Sequence, residues 1–237
     1  MNAAEQTPRR GFLGRVIGAA AAAAGVPLIG ARGVAAQGAG DDWLKDVKGT
    51  HRCLFDFPQM NNGMPLLHIL NYLNTYKEAY KAAPGSVGAV GTFYSIGPRA
   101  SIVFAFNDAM WKKYELGAYT GLKDANGQAY TRNPFWTPTK DELHLMMSVI
   151  QSPTIPAFGE MLPALGIQSL QQMGTKFLLC NNAFGGWCLE LEARGKGKMA
   201  DLQKDLSANM LPGVTPVPAM VIAIEQAQAA GIKYNRQ

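Results

Sequence analysis

Short apolar or β-branched runs alternate with segments of helical period along most of this 237-residue chain, and that alternation constrains the fold more than any other feature. His51-Arg52-Cys53-Leu54-Phe55-Asp56-Phe57 reads as a strand, closed by Pro58 and the Asn61-Asn62-Gly63 turn signal. From Pro65 to Ala83 apolar residues recur at Leu66, Leu67, Ile69, Leu70, Leu73 and Tyr76, the period of an amphipathic helix that Pro84-Gly85 ends. Val87 to Tyr94 predicts a second, buried strand, whose glycines imply close packing against a neighbour. Helices are predicted over Ser101 to Tyr114, Asp141 to Ile150 and Phe158 to Met173, the last broken or bent at Pro163. Lys176 to Leu179 forms a third strand with Cys180 at its carboxyl end, and helix returns from Phe184 to Leu206. Val214 to Val217 is a fourth strand, Pro218 suits the first turn of the next helix, and Ile232 to Tyr234 is a fifth strand. Strands separated by helices pair in parallel through right-handed crossovers, which gives a three-layer α/β/α domain with a mainly parallel sheet of about five strands.

The N-terminus sets a different constraint. Thr7-Pro8-Arg9-Arg10-Gly11-Phe12-Leu13 places two apolar residues one spacer beyond an arginine pair, an apolar Ala- and Gly-rich stretch runs from Val16 to Gly30, and Val34-Ala35-Ala36 offers small residues to a signal peptidase. These features resemble a twin-arginine export signal. They imply use of the Tat translocase, cleavage after Ala36 and a periplasmic or otherwise extracytoplasmic mature protein. The uncharged stretch is about fifteen residues, short of the ~20 that a spanning helix needs, so no stable membrane anchor is expected. The organisation is then a signal peptide at 1–36, a polar and flexible mature N-terminus at 37–50, and one α/β domain at 51–237.

Charge follows the same division. Taking the leader's four arginines and one glutamate from 22 basic and 17 acidic residues leaves 18 against 16. A nearly neutral mature chain carries no nucleic-acid footprint. His51, His68 and His144 are far apart and no metal-ligand spacing occurs, so no metal is expected. Met60 with Met64, and Met146 with Met147, read as core. Gly195-Lys196-Gly197-Lys198 reads as a solvated run, and no phosphate-loop or dinucleotide pattern follows a strand, so no cofactor is expected.

Gly117 to Thr139 combines turn residues with Tyr119, Tyr130, Phe135 and Trp136. An insert so aromatic is expected to be buried against its own sheet or another subunit, as a lid, binding loop or partner surface. Three cysteines, Cys53, Cys180 and Cys188, leave at least one thiol unpaired in an oxidising compartment. Cys180 ends a parallel strand, where α/β sheets bind ligands, and it precedes a helix start. It reads either as a reactive thiol or as a small buried hydrophobe. Asp56, Gln59, Tyr94, Ser95, Asn181 and Asn182 lie at or just after strand ends and together form a candidate cleft, though each taken singly reads more readily as a solvated turn.

The acidic end of the first strand, the Gly-rich second strand, Phe177-Leu178-Leu179-Cys180-Asn181-Asn182 and Leu211-Pro212-Gly213-Val214 leading to Gln226-Ala227-Gln228-Ala229-Ala230-Gly231 together resemble the DsrE family. Asn107 to Tyr114 and Arg132-Asn133-Pro134 resemble its exported, twin-arginine branch. The resemblance spans about His51 to Tyr234. It implies the same three-layer fold, homo-oligomers, and sulfur passed as a cysteine persulfide, with Cys180 as the carrier and a small sulfur-containing ligand. Two functional expectations stand side by side. One is a sulfur-carrying thiol protein with the aromatic insert shielding Cys180. The other is a noncatalytic ligand-binding or assembly module in which Cys180 packs.

Overall fold

The computed structural model describes residues 42–237; the arginine pair, its apolar stretch and the cleavage point expected after Ala36 lie outside the described residues. Five strands, β1 (His51–Asp56), β2 (Val87–Phe93), β3 (Thr175–Cys180), β4 (Val214–Val217) and β5 (Lys233–Arg236), form one sheet in the order β4-β3-β2-β1-β5. Every neighbouring pair is parallel. The longer helices are α1 (Met64–Glu78), α2 (Leu143–Ile150), α3 (Asn181–Ala193), α4 (Met199–Ala208) and α5 (Met220–Ala229). This is the three-layer α/β/α architecture expected from the alternation of strand and helix.

From β1 to β4 the chain steps across the sheet one strand at a time, and from β4 to β5 it returns across the whole sheet. Right-handed crossovers put the steps and the return on opposite faces. The two-residue alternation of the strands then fills two separate cores. Cys53, Phe55, Phe93, Phe177 and Leu179 join a larger apolar cluster with residues of α1, α3 and α4. Leu54, Val90, Leu178, Cys180 and Val217 join a second with Met220, Ala223 and Ala227 of α5.

The β2 glycines are required by close approach, as the sequence implies. A Cβ on Gly91 would lie 2.5 Å from the Phe177 ring, and one on Gly88 2.5 Å from the Lys48 carbonyl oxygen. Without a side chain at 91, Phe177 stacks on Phe93 at 4.9 Å between ring centroids.

Four expectations are corrected. The helix expected over Ser101 to Tyr114 is a 3-10 turn (Ser101–Ala105) and a short helix (Asp108–Lys113). Asn107 caps the second piece by accepting the Met110 N–H at 3.2 Å, while extended Phe106 stacks on Trp187 in the core. The helix expected over Phe158 to Met173 is three short pieces, with a break at Gly166 where a Cβ would meet the Trp136 carbonyl and Pro138 at 2.8 Å. The long helix expected from Phe184 begins earlier, at Asn181, and divides around Gly195 and Gly197, both at positive φ. Finally, the segment read as flexible through Thr50 contains a helical turn, Trp43–Asp46. Trp43 and Val47 lie four residues apart on one side of it and are buried in the second cluster, 2% and 3% exposed.

The aromatic side chains of the insert pack against its own domain, while residues 125–129 between them are exposed. Tyr130 and Phe135 belong to the larger cluster, Tyr119 and Trp136 pack on it, and Phe135 meets Phe104 edge-on at 4.6 Å. That cluster is on the face opposite Cys180, so the insert does not shield Cys180 as expected.

Candidate functional site

The carboxyl edge of the sheet gathers polar groups on the face that carries Cys180. Asp56 ends β1, is 1% exposed, and alternates with Leu54, so it points to that face. Its Oδ1 accepts the Tyr94 hydroxyl at 2.7 Å, and its Oδ2 accepts the Tyr234 hydroxyl at 2.8 Å and Arg236 Nη1 at 3.2 Å. Thr92 adds a longer contact of 3.4 Å to Oδ1. The buried carboxylate is thus fully partnered, as burial of a charge demands. Burial first, and then the hydrogen bond to Asp56, push the Tyr94 and Tyr234 phenols above the ordinary tyrosine range. Arg236 keeps 61% of its side chain in solvent, so its pairing contributes modestly and the phenols do more to fix the carboxylate.

Cys180 lies two strands away in the same row. The β2–β3 ladder ends with Phe93 beside Leu179, which puts Tyr94 opposite Cys180, and the Tyr94 ring packs on the cluster that contains Cys180. On its other side Cys180 pairs with Val217. Its sulfur accepts two backbone N–H groups, from Ala183 at 3.4 Å in the first turn of α3 and from Met220 at 3.3 Å at the start of α5. The two helices leave β3 and β4 on opposite faces of the sheet, and their N-termini converge on this one atom. Cys53 and Cys188 have no such donors among the described residues; burial pushes their thiols up to about 11 and about 12. None of the three cysteines is disulfide-bonded.

The remaining sequence candidates divide. Ser95 follows Tyr94 at φ +74°, a left-handed conformation that a non-glycine residue adopts under strain. Gln59 is exposed, and its backbone forms an antiparallel bridge to Ala100. Asn182 is also exposed, and its N–H donates to the Pro218 carbonyl at 3.3 Å. Asn181 lies on the buried stripe of α3 with Phe184, Gly185 and Cys188, and it is 8% exposed. Both polar atoms of its amide are buried with no hydrogen-bond partner among the described residues. An unpartnered buried amide destabilises the fold, so Asn181→Leu is expected to raise unfolding free energy by about 1–2 kcal/mol in urea denaturation. A loss of stability instead would show that the amide is bonded in solution.

Sequence reasoning missed Tyr234 and Arg236 as partners of Asp56, because their meeting depends on β5 pairing with β1. It also missed Glu190, which accepts the Gly97 N–H and the Tyr119 hydroxyl, both at 2.9 Å, and pairs with Arg194, fastening the loop after β2 and the insert to α3. A groove of about 700 Å³ lies between α1 and β5, with Tyr72, Tyr76, His68 and Asn235 in its walls; none of the sequence candidates lines it. Among the described residues no group of three or more His, Cys, Asp or Glu side chains could hold a metal ion, and no helix is long and apolar enough to cross a membrane.

Fold and site together define an α/β/α protein with an all-parallel five-stranded sheet and, at its carboxyl edge, a cysteine sulfur held between two helix N-termini. No protein-family model matches the chain, and searches of curated proteins and of solved structures find no match either.

Proposed function

We propose that this chain is an extracytoplasmic, DsrE-like sulfur carrier, exported by the twin-arginine route, with Cys180 holding sulfur as a persulfide. The observation that supports it is the setting of the Cys180 sulfur: it is a strand-end acceptor for two helix-terminal amides, in a row with Tyr94 and Asp56. In the transfer, the thiolate of Cys180 attacks the terminal sulfur of an inorganic polysulfide. A bond forms between the two sulfurs, the adjacent S–S bond breaks, and a polysulfide one sulfur shorter leaves with the electron pair. A later acceptor thiolate attacks the outer sulfur and returns Cys180 as the leaving thiolate. Homo-oligomers and a small sulfur-containing ligand belong to the same reading.

A second reading is favoured by burial. Cys180 is 5% exposed among Leu54, Val90, Leu178 and Val217, which suits a noncatalytic binding or assembly module in which the thiol packs. One experiment separates them: intact-mass analysis of protein recovered from the periplasm, before and after brief exposure to polysulfide. The sulfur-carrier reading expects a chain starting near Gln37 that gains about 32 Da, removable by reductant and absent in Cys180→Ser. No gain, or an equal gain in Cys180→Ser, leaves the binding module.

A further inference from the structure

We propose that Asn126 is a site of self-modification, where the side-chain amide is lost through a cyclic imide and aspartate and isoaspartate are left in its place. The inference is independent of the sulfur-carrier reading and concerns the exposed tip of the aromatic insert. The chain holds two Asn-Gly pairs, Asn62-Gly63 and Asn126-Gly127, so the same chemistry is on offer at two places and the fold decides between them. Glycine after asparagine favours the reaction, because no side chain hinders its nitrogen and its backbone reaches conformations closed to other residues.

Water is the one co-reactant. The Gly127 nitrogen gives its proton to solvent hydroxide and attacks Cγ of Asn126. A bond forms between that nitrogen and Cγ, the bond from Cγ to Nδ2 breaks, and the amide nitrogen leaves with the electron pair and takes a proton to become ammonia. Water then opens the imide at either carbonyl. One opening restores the main chain with a side-chain carboxylate, and the other leaves the main chain running through Cγ.

Both attacking nitrogens are restrained alike, since the Gly127 N–H donates to the Asp124 carbonyl at 3.0 Å and the Gly63 N–H to the Met60 carbonyl at 2.8 Å. What differs is the asparagine. Asn62 is half-buried, and its Nδ2, the atom that must leave, donates to the Leu145 carbonyl at 3.3 Å and the Ser148 hydroxyl at 3.0 Å, which fastens it to α2. Its turn also runs straight into α1, with Gly63 as the N-cap. Asn126 and Gly127 are both exposed. Among the described residues Asn126 is held through its backbone alone: its N–H donates to Asp124 Oδ1 at 2.9 Å, and its side chain has no partner. The hairpin that carries it is closed by the Lys123–Ala129 bridge and lies outside the core, so it opens locally at little cost. The new carboxylate joins a groove of about 570 Å³ whose lining sets Asp124, Asp141 and Glu142 against Arg132, so modification makes an acidic patch more acidic.

The full chain is kept at physiological temperature in mildly alkaline buffer, native and in urea, and amide loss at each Asn-Gly pair is followed by peptide mass analysis with fragmentation that separates isoaspartate from aspartate. In the native protein Asn126 is expected to convert at least about tenfold faster than Asn62, because the bonds that hold Asn62 must first break. In urea the two are expected to convert at comparable rates. Equal native rates, a faster Asn62, or conversion at Asn126 in urea alone overturns the assignment. Asn126→Gln, whose longer side chain closes the ring far more slowly, is expected to show no loss over the same time. Amide loss there at the wild-type rate, or wild-type product without isoaspartate, means direct hydrolysis and overturns the imide route.

Discussion

Replacing Gly117 by alanine is expected to destabilise the domain by about 3 kcal/mol or more, because the new methyl group has nowhere to go. A Cβ at that position would sit 2.1 Å from the Tyr130 carbonyl oxygen, 2.5 Å from its nitrogen and 2.8 Å from its carbonyl carbon. These are main-chain atoms, so no side-chain rotation relieves the clash. Nor is the Tyr130 segment free to retreat: its N–H donates to the Leu122 carbonyl, Lys123 and Ala129 form a bridge, and the Tyr130 hydroxyl reaches Glu142. To make room the insert must lift, which draws Tyr130 and Phe135 away from the larger core. Gly121→Ala is the matched control, since it lies at φ +75° with nothing within 4 Å of its Cβ. Its cost is the left-handed backbone alone, about 1 kcal/mol. Urea denaturation followed by circular dichroism reads both. A Gly117→Ala loss no larger than that of Gly121→Ala would show that the insert is not clamped where the structure puts it.

The same insert shows what was legible in the sequence and what was not. Four aromatic side chains between turn residues are enough to say that Tyr119, Tyr130, Phe135 and Trp136 pack inward, since apolar area of that size is not left in water. They do not say on which face, because that depends on where Phe104, Phe106 and Trp187 arrive from distant parts of the chain. Strands were legible from their two-residue pattern and bounding turns, and the parallel sheet from their alternation with helices. Helix breaks were less so: Asn107 acts as a cap only because Phe106 is drawn into the core, and Gly166 interrupts a helix because residues 136–138 cross it. At the edge, Asp56, Tyr94 and Cys180 could be nominated from strand ends alone. Tyr234 and Arg236 could not, since they meet Asp56 only after the β4-to-β5 connection returns across the sheet. Trp43 and Val47 carried a weak signal, two apolar residues one helical turn apart in a polar stretch, which composition averages away.

Raising the pH above about 9 is expected to unfold the protein progressively, and two of its three cysteines set much of the slope. The Cys53 and Cys188 thiols, ordinarily near 9.0, are pushed by burial up to about 11 and about 12. Below pH 9 both the native and the unfolded chain keep these protons, and the full stability is present. Between pH 9 and the native values the unfolded chain releases them while the native chain retains them. The native state then binds more protons, so stability falls as pH rises, by up to about 1.4 kcal/mol per pH unit for each thiol. At about pH 10.5 each thiol has removed about 2 kcal/mol, and the pair about 4, out of a total that is 5–15 kcal/mol in a typical domain. Above about pH 10 the phenols of Tyr72, Tyr114, Tyr119 and Tyr130, each raised first by burial, act with the same sign. On the acid side Asp205 behaves oppositely. Its carboxyl is held below the usual range by hydrogen bonds from Lys113 and Tyr114, so its contribution is present above the unfolded value and lost as pH falls. Urea midpoints of the reduced protein at about pH 8, 9.5 and 10.5 test the alkaline loss. Cys188→Ala should start from a lower midpoint, because it opens a cavity in the larger core, yet lose less between pH 8 and 10.5 than the wild type by one thiol's share. A wild-type midpoint that holds constant over that range would mean that both thiols reach solvent, and the packing of Cys53 behind β1 and of Cys188 inside α3 would have to be redrawn.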